Sequence, residues 1–362
     1  MLPACTVPSM QGATYRTRAH VVECKRFVTL ASLPARLEGP SSHFGADRYL
    51  AVILRVDLNR GQRDTADVSV VIPFYNGHRF IGRALDSIFR QTLEPKEVVI
   101  VDDGSETPFI PPPNPPVPLV VLRHEPNRGI PSTRNRGIAA CNTEWIAFLD
   151  QDDEWAPDKL ERQWRYLRDS GFPRAALFGN MRVAGSTWEM PTPPLARWLA
   201  SPRGPHELAL RLIQDGNFAP WGTMLVHRDV FAAVGLLDET LRGGSDDLEW
   251  TLRAALHNRL VWCHPGAEPM LIRHEHQENY SKAQRFFADN ARLLDKHLPA
   301  LEGSLQRAAL AAQAYSLGRY HHLQGNSREA ATYYMRSLKI GHGSTRVKSL
   351  FGLLLASVGV VR

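Results

Sequence analysis

Short runs of consecutive apolar residues, each broken off by a polar or acidic cluster, constrain this chain more than any other feature. Val68-Ser69-Val70-Val71-Ile72 stops at Pro73 ahead of Tyr75 and Asn76, and Val98-Val99-Ile100-Val101 stops at Asp102 and Asp103. Trp145-Ile146-Ala147-Phe148-Leu149 stops at Asp150-Gln151-Asp152-Asp153. Such runs predict buried strands. Between the first two, Ile81, Ala84, Leu85, Ile88 and Phe89 recur at helical spacing and give one apolar stripe. Strand, helix, strand implies a right-handed parallel crossover.

The pattern continues. Seven prolines between Pro108 and Pro118 make an irregular spacer before a strand at Leu119 to Leu122. A helix is predicted from Pro131 and Ser132 to Ala140, and another opens at Pro157 with Leu160, Trp164 and Leu167 on one face and Gly171 at its end. The alternation predicts an α/β fold with a doubly wound, mostly parallel sheet. In such sheets ligands bind outside the carboxyl ends of the strands, so the polar clusters should converge on one pocket.

The Asp150-x-Asp152-Asp153 cluster needs compensation, because adjacent carboxylates repel. Mg²⁺ or Mn²⁺ would supply it, taking one or two carboxylates and filling its sphere with phosphate and water. The alternative is an acidic helix start before Leu160.

Four stretches in register carry a family resemblance over roughly residues 68–281. They are Val70 to Asn76, Ile100 to Ser105, Asn127-Arg128-Gly129 through Arg134-Asn135, and Ala147 to Asp153. The chain resembles glycosyltransferase family 2, whose fold is GT-A. The resemblance implies nucleotide contacts from Pro73, Tyr75, Asn76, Asp102, Asp103, Arg134, Asn135 and Asp150, with Asp152 on the metal. Gly244-Ser245-Asp246-Asp247 is similar to the family's Glu-Asp segment, which makes Asp247 the candidate catalytic base and leaves Asp246 as a departure from Glu. Arg273 and His276 resemble a segment closing over the diphosphate. Trp221 is placed either against a sugar face or in the core. His274 and His276 could instead bind zinc, although no third ligand is evident.

The resemblance implies an inverting transfer from a nucleotide sugar, UDP being the commonest nucleotide, to a glycan or lipid-linked acceptor hydroxyl in cell-surface polysaccharide synthesis. Two other readings compete. A nucleotidyltransferase usually needs a Gly-rich basic loop after its first strand, and this chain has Pro73-Phe74-Tyr75-Asn76-Gly77 there. A non-catalytic scaffold on the same fold has no need of Asp103, Asp152 and Asp247.

Residues 1–67 mix Pro, Gly, Arg and His and predict a poorly ordered extension, with only Tyr49 to Val56 strand-like. Residues 282–362 predict a helical region in which Ala308 to Gln324 and Arg328 to Ile340 resemble one tetratricopeptide-type hairpin, able to pack on the preceding domain or to pair two chains as a homodimer. The apolar end, Ser349 to Val361, is too short to span a bilayer. With Arg346, Lys348 and Arg362 around it, that end predicts a packed helix or peripheral membrane contact. A net charge of +6 favours anionic partners, but the dispersed charges and lack of a recognised motif speak against nucleic acid. The four scattered cysteines and the absence of an apolar leader predict a cytoplasmic protein, reaching at most the inner face of the membrane.

Overall fold

The computed structural model describes residues 52–54, 64–263, 266, 268–275 and 284–358, all of which fall within one compact unit. The described elements are, in order, β1 (Val52–Leu54), β2 (Thr65–Phe74), α1 (His78–Phe89), β3 (Glu94–Asp102), β4 (Leu119–Arg123), α2 (Ile130–Ala140) and β5 (Trp145–Phe148). Next come β6 (Glu154–Trp155), α3 (Lys159–Asp169), β7 (Ala176–Phe178), β8 (Met181–Val183), β9 (Glu189–Met190), α4 (Pro193–Leu199) and α5 (Pro205–Asp215). They are followed by β10 (Leu225–His227), α6 (Arg228–Val234), α7 (Asp246–Leu256), β11 (Leu260–Trp262) and β12 (Leu271–Arg273). The helices α8 (Gln284–His297), α9 (Gly303–Leu323), α10 (Ser327–Ile340) and α11 (Gly343–Ser357) complete the described chain.

The main sheet has the order β1-β4-β3-β2-β5-β10-β7-β11. Strands β4, β3, β2 and β5 are mutually parallel, and β11 is parallel to β7, whereas β1 and β10 run antiparallel to their neighbours. The expected doubly wound, mostly parallel sheet is what forms. Alternation along each strand explains its two covered faces. Val71, Val99, Val101, Ile146 and Phe148 bury on one face, with α2, α5, α7 and the C-terminal helices. Val70, Ile72, Val98, Ile100 and Ala147 bury on the other, with α1 and α3. Each fully buried Val or Ile contributes about 1.5–3 kcal/mol, so these runs anchor the sheet from both sides.

The first parallel strand starts at Thr65 rather than Val68, and Val52–Leu54, within the strand-like run Tyr49 to Val56, pairs with β4 as an edge strand. A second, four-stranded sheet, β6-β12-β8-β9, joins segments far apart in sequence, with Leu271 opposite Met181 and Trp155.

Close packing fixes where α2 sits. A Cβ on Gly137 would lie 2.4 Å from Val71 Cγ1, so the missing side chain lets the helix rest directly on β2. At the other end of the chain, α9 packs on α8 and α5, and its Leu305, Ala308, Ala309 and Ala312 belong to the main core. Tyr334 of α10 is fully buried, and Cβ atoms on Gly318 and Gly352 would each fall within 2.7 Å of its ring. No helix of the described residues is long and apolar enough to cross a membrane.

Candidate active site

A cleft of about 1200 Å³ opens along the carboxyl ends of the parallel strands. It collects Pro73, Tyr75, Asn76, Asp103, Arg134, Asp150, Asp152, Trp221, Asp246, Asp247 and Arg273, residues singled out from seven separate stretches of sequence. His276 lies outside the described residues.

The exits of β2 and β5 are tied together by one side chain. Gln151 accepts the Tyr75 N–H at 2.9 Å and donates to the Tyr75 carbonyl at 3.2 Å, which holds the loop below a Tyr75 ring that is 45% exposed. Asn76 takes φ 47° at the turn, its N–H donating to Ser105 Oγ at 2.9 Å while its Oδ1 accepts from Glu106. Asp103 follows β3. Its Oδ1 meets His124 Nδ1 at 2.8 Å and accepts the Arg128 N–H, while its Oδ2 accepts the Gly129 N–H. Burial alone would raise this carboxyl; the hydrogen bonds from His124, Arg128 and Gly129 outweigh it and hold the group below its ordinary value.

Asp102 and Asn135 do not join the cleft. The Asp102 carboxylate is saturated by the N–H groups of Ser105 and Phe109 and by Arg123 Nη1 at 2.5 Å. It braces the loop after β3. Asn135 points about a quarter turn around α2 from Arg134, exchanging hydrogen bonds with Leu237 N–H and C=O and donating to Glu239 Oε1. In this structure both brace the loops around the cleft instead of lining it.

Arg134 is the centre of the charge network. It is buried, donates from Nη1 to Asp246 Oδ2 and from Nη2 to Asp150 Oδ1, both at 2.9 Å, and lies 5.2 Å over the Trp221 ring. Burial would lower its pKa, but Asp150, Asp246 and Asp247 raise it. Both α7 carboxylates are raised by these surroundings. Burial, and then repulsion from Asp247, pushes Asp246 up to about 7 despite Arg134. Asp247 is half-buried, accepts the Leu248 N–H at 2.6 Å, and is also raised, by burial and by Asp150 against the pull of Arg134.

The acidic run after β5 is equally strained electrostatically. Asp153 is buried, and burial followed by the charges of Asp152 and Asp150 drives its carboxyl well above the ordinary value, although it accepts the His274 N–H at 3.0 Å. His274 Nε2 engages Glu154 Oε1 at 3.0 Å; the zinc alternative also needs His276, which lies outside the described residues. Trp221 is 4% exposed and packs edge-on against Trp250 at 5.2 Å and tilted on Phe148 at 5.0 Å, which makes it a core aromatic bordering the cleft. Its indole N–H has no hydrogen-bond partner among the described residues.

Several lining residues carried no signal in the sequence. Arg285, Phe286, Tyr315 and Lys348 reach the cleft from α8, α9 and α11, and Asn217 from the loop before β10. Their separation along the chain hides a proximity that only helix packing creates.

Residues 69–235 match the family model described as glycosyl transferase family 2. The chain carries a family 2 glycosyltransferase domain. The chain is 26% identical over 180 residues to an uncharacterized glycosyltransferase of Haemophilus influenzae, a match covering 49% of this chain and 59% of the relative. It is 39% identical over 192 residues to one of Nostoc sp., covering 47% and 54%. A shorter match, 43% over 100 residues, joins it to the succinoglycan biosynthesis protein ExoO of Rhizobium meliloti, covering 26% and 28%. The chain thus spans little more than half the length of the first two relatives. Among solved structures, a fragment of S. aureus TarS in complex with UDP-GlcNAc superposes with TM-score 0.53 at 17% identity, covering 80% of this chain and 90% of that one. At that identity the likeness concerns the fold, GT-A.

Proposed function

We propose that this glycosyltransferase moves a sugar from a nucleotide-sugar donor, UDP-linked in the first instance, onto an acceptor hydroxyl with inversion at the anomeric carbon. One observation carries the reading: Asp103, Asp152, Asp247 and Arg273 come from four distant segments and border a single cleft. The TarS fragment's complex with UDP-GlcNAc supports the donor class, and the ExoO match supports a role in polysaccharide synthesis.

Pro73, Tyr75 and Asp103 form the nucleobase end, with Tyr75 free to stack because Gln151 holds its backbone from below. Asp150 and Arg134 take the ribose side. The crowding of Asp150, Asp152 and Asp153, which with burial forces the Asp153 carboxyl upward, fits a hard divalent ion such as Mg²⁺ or Mn²⁺ held by Asp152. A bound ion would neutralise charge on the diphosphate, with phosphate and water filling the positions that protein ligands leave. Arg273 adds a second positive charge on that side. A sugar hydroxyl is a weak nucleophile, so a carboxylate must take its proton as the bond forms, and a base with an elevated pKa does this better than an ordinary one. Asp247 has that elevation and reaches the cleft, whereas Asp246 is locked to Arg134.

The test is hydrolysis of UDP-, GDP- and dTDP-sugars by the purified chain, with Mn²⁺ and with chelator. Turnover of one donor that needs the ion, and loss of turnover in Asp152→Ala, are expected. Asp247→Asn should abolish transfer and still bind donor. Near-normal transfer by either variant sinks the assignment.

A further inference from the structure

Helix α11 presents two chemistries at once. Its buried side is made of Thr345, Ser349, Gly352 and Ala356, small residues that let it lie close against Tyr334. Its other side is apolar and bare: Val347, Leu350, Phe351, Leu354 and Val358 are 69, 52, 62, 57 and 69% exposed. They recur at helical spacing and form a stripe about 16 Å long. Exposed apolar patches of this continuity mark contact surfaces.

Charge selects the occupant. Helices α10 and α11 together carry Arg328, Arg336, Lys339, Arg346 and Lys348 against a single acidic residue, Glu329. A shallow groove between the two helices brings Arg328, Arg336 and Lys339 beside Met335, Ile340 and Leu353, the last adjacent to the stripe residue Leu354. A second copy docked through the same face would set this basic rim against itself. An anionic lipid surface would be matched by it.

The same helix reaches the cleft. Lys348 borders it, with Nζ donating to the carbonyls of Gln214 and Asp215 at 3.2 Å. We propose that the α11 stripe seats the protein on an anionic membrane surface and that the acceptor is membrane-borne, delivered to the cleft beside Lys348. The acceptor half of this proposal rests on the cleft being the transfer site; the seating does not.

The experiment is co-sedimentation of the full chain with phosphatidylcholine vesicles with and without phosphatidylglycerol, at about 0.1 M salt. Binding to the anionic vesicles, weaker binding to the neutral ones, and weakening at high salt are expected. The triple variant Leu350→Gln, Phe351→Gln, Leu354→Gln should lower partitioning about a hundredfold, since three side chains stop entering the interface. These side chains are exposed, so its thermal midpoint and donor hydrolysis should match those of the unmodified chain. A chain that stays in the supernatant with anionic vesicles overturns the proposal. So does a dimer in light scattering that the triple variant splits, since a second copy would then occupy the stripe. Vesicle binding is read without catalysis, so failure to hydrolyse any donor would overturn the transfer reading and leave the seating standing.

Discussion

Replacing Arg134 by Met tests the charge network on which the cleft is built. The guanidinium faces Asp246, whose side chain is 3% exposed, and Asp150, each at 2.9 Å, with Asp247 close enough to act on its pKa. Removing one partner of a buried ion pair costs about 3–5 kcal/mol, because the remaining charge has neither water nor counterion. The cost depends on pH, and its sign follows from Asp246. That carboxyl titrates at about 7 in the folded chain against 3.8 when exposed, so the folded state holds the extra proton between those values. Stability from this group is therefore complete below about pH 4 and lost as pH rises through 7. Without Arg134 the carboxyl is raised further. Near pH 5 the variant should lose only the packing over Trp221 and neutral hydrogen bonds, about 1–2 kcal/mol. At pH 8 it should lose the full 3–5 kcal/mol, or about 10 °C in midpoint. Urea titrations followed by tryptophan fluorescence at several pH values read this directly, and Arg134→Met with Asp246→Asn should recover most of the loss at pH 8. A pH-independent deficit, or none, would refute the view of Arg134 as counterion to a buried carboxylate.

Further expectations concern single positions. With Asp247 as the proposed base, Asp150→Asn removes a negative charge that raises it, so the ascending limb of kcat/KM against pH should move to lower pH; a limb that stays in place argues against Asp247 as the base. Gln151→Leu loses both hydrogen bonds to the Tyr75 backbone and should raise KM for donor about tenfold with little change in kcat, as initial-rate kinetics would show. Gly137→Val drives a side chain into Val71 and should destabilise the fold by about 1–3 kcal/mol or more, measured by denaturant titration.

The central strands were legible because every residue of Val98 to Val101 and Trp145 to Phe148 is buried, and burial on both faces leaves a continuous apolar run. The small sheet was not, since β6 and β9 are two residues long and β12 reaches it from far along the chain, pairing Leu271 with Met181 and with Trp155. Neighbouring site residues were separated by geometry finer than a motif. The strand pleat turns Asp102 and Asp103 in different directions, one into the loop and one into the cleft. A helix step of about 100° does the same for Arg134 and Asn135. Tyr315 and Lys348 could not be read at all, because nothing local to them records the packing of α9 and α11 on α5.

Strand β10 runs against the direction of β5 and β7, so it enters the sheet at the edge where its parallel neighbours leave. The segment leading into it, Asn217 to Met224, therefore arrives at the cleft beside the loops that follow β2, β3 and β5 although it belongs to a different stretch of chain. Replacement of that lead-in by another sequence would re-shape one wall while the exits of β2, β3 and β5 keep their bracing. A reversed strand in this position makes the two halves of the pocket separately adjustable, a natural route by which one donor platform could come to serve different recipients.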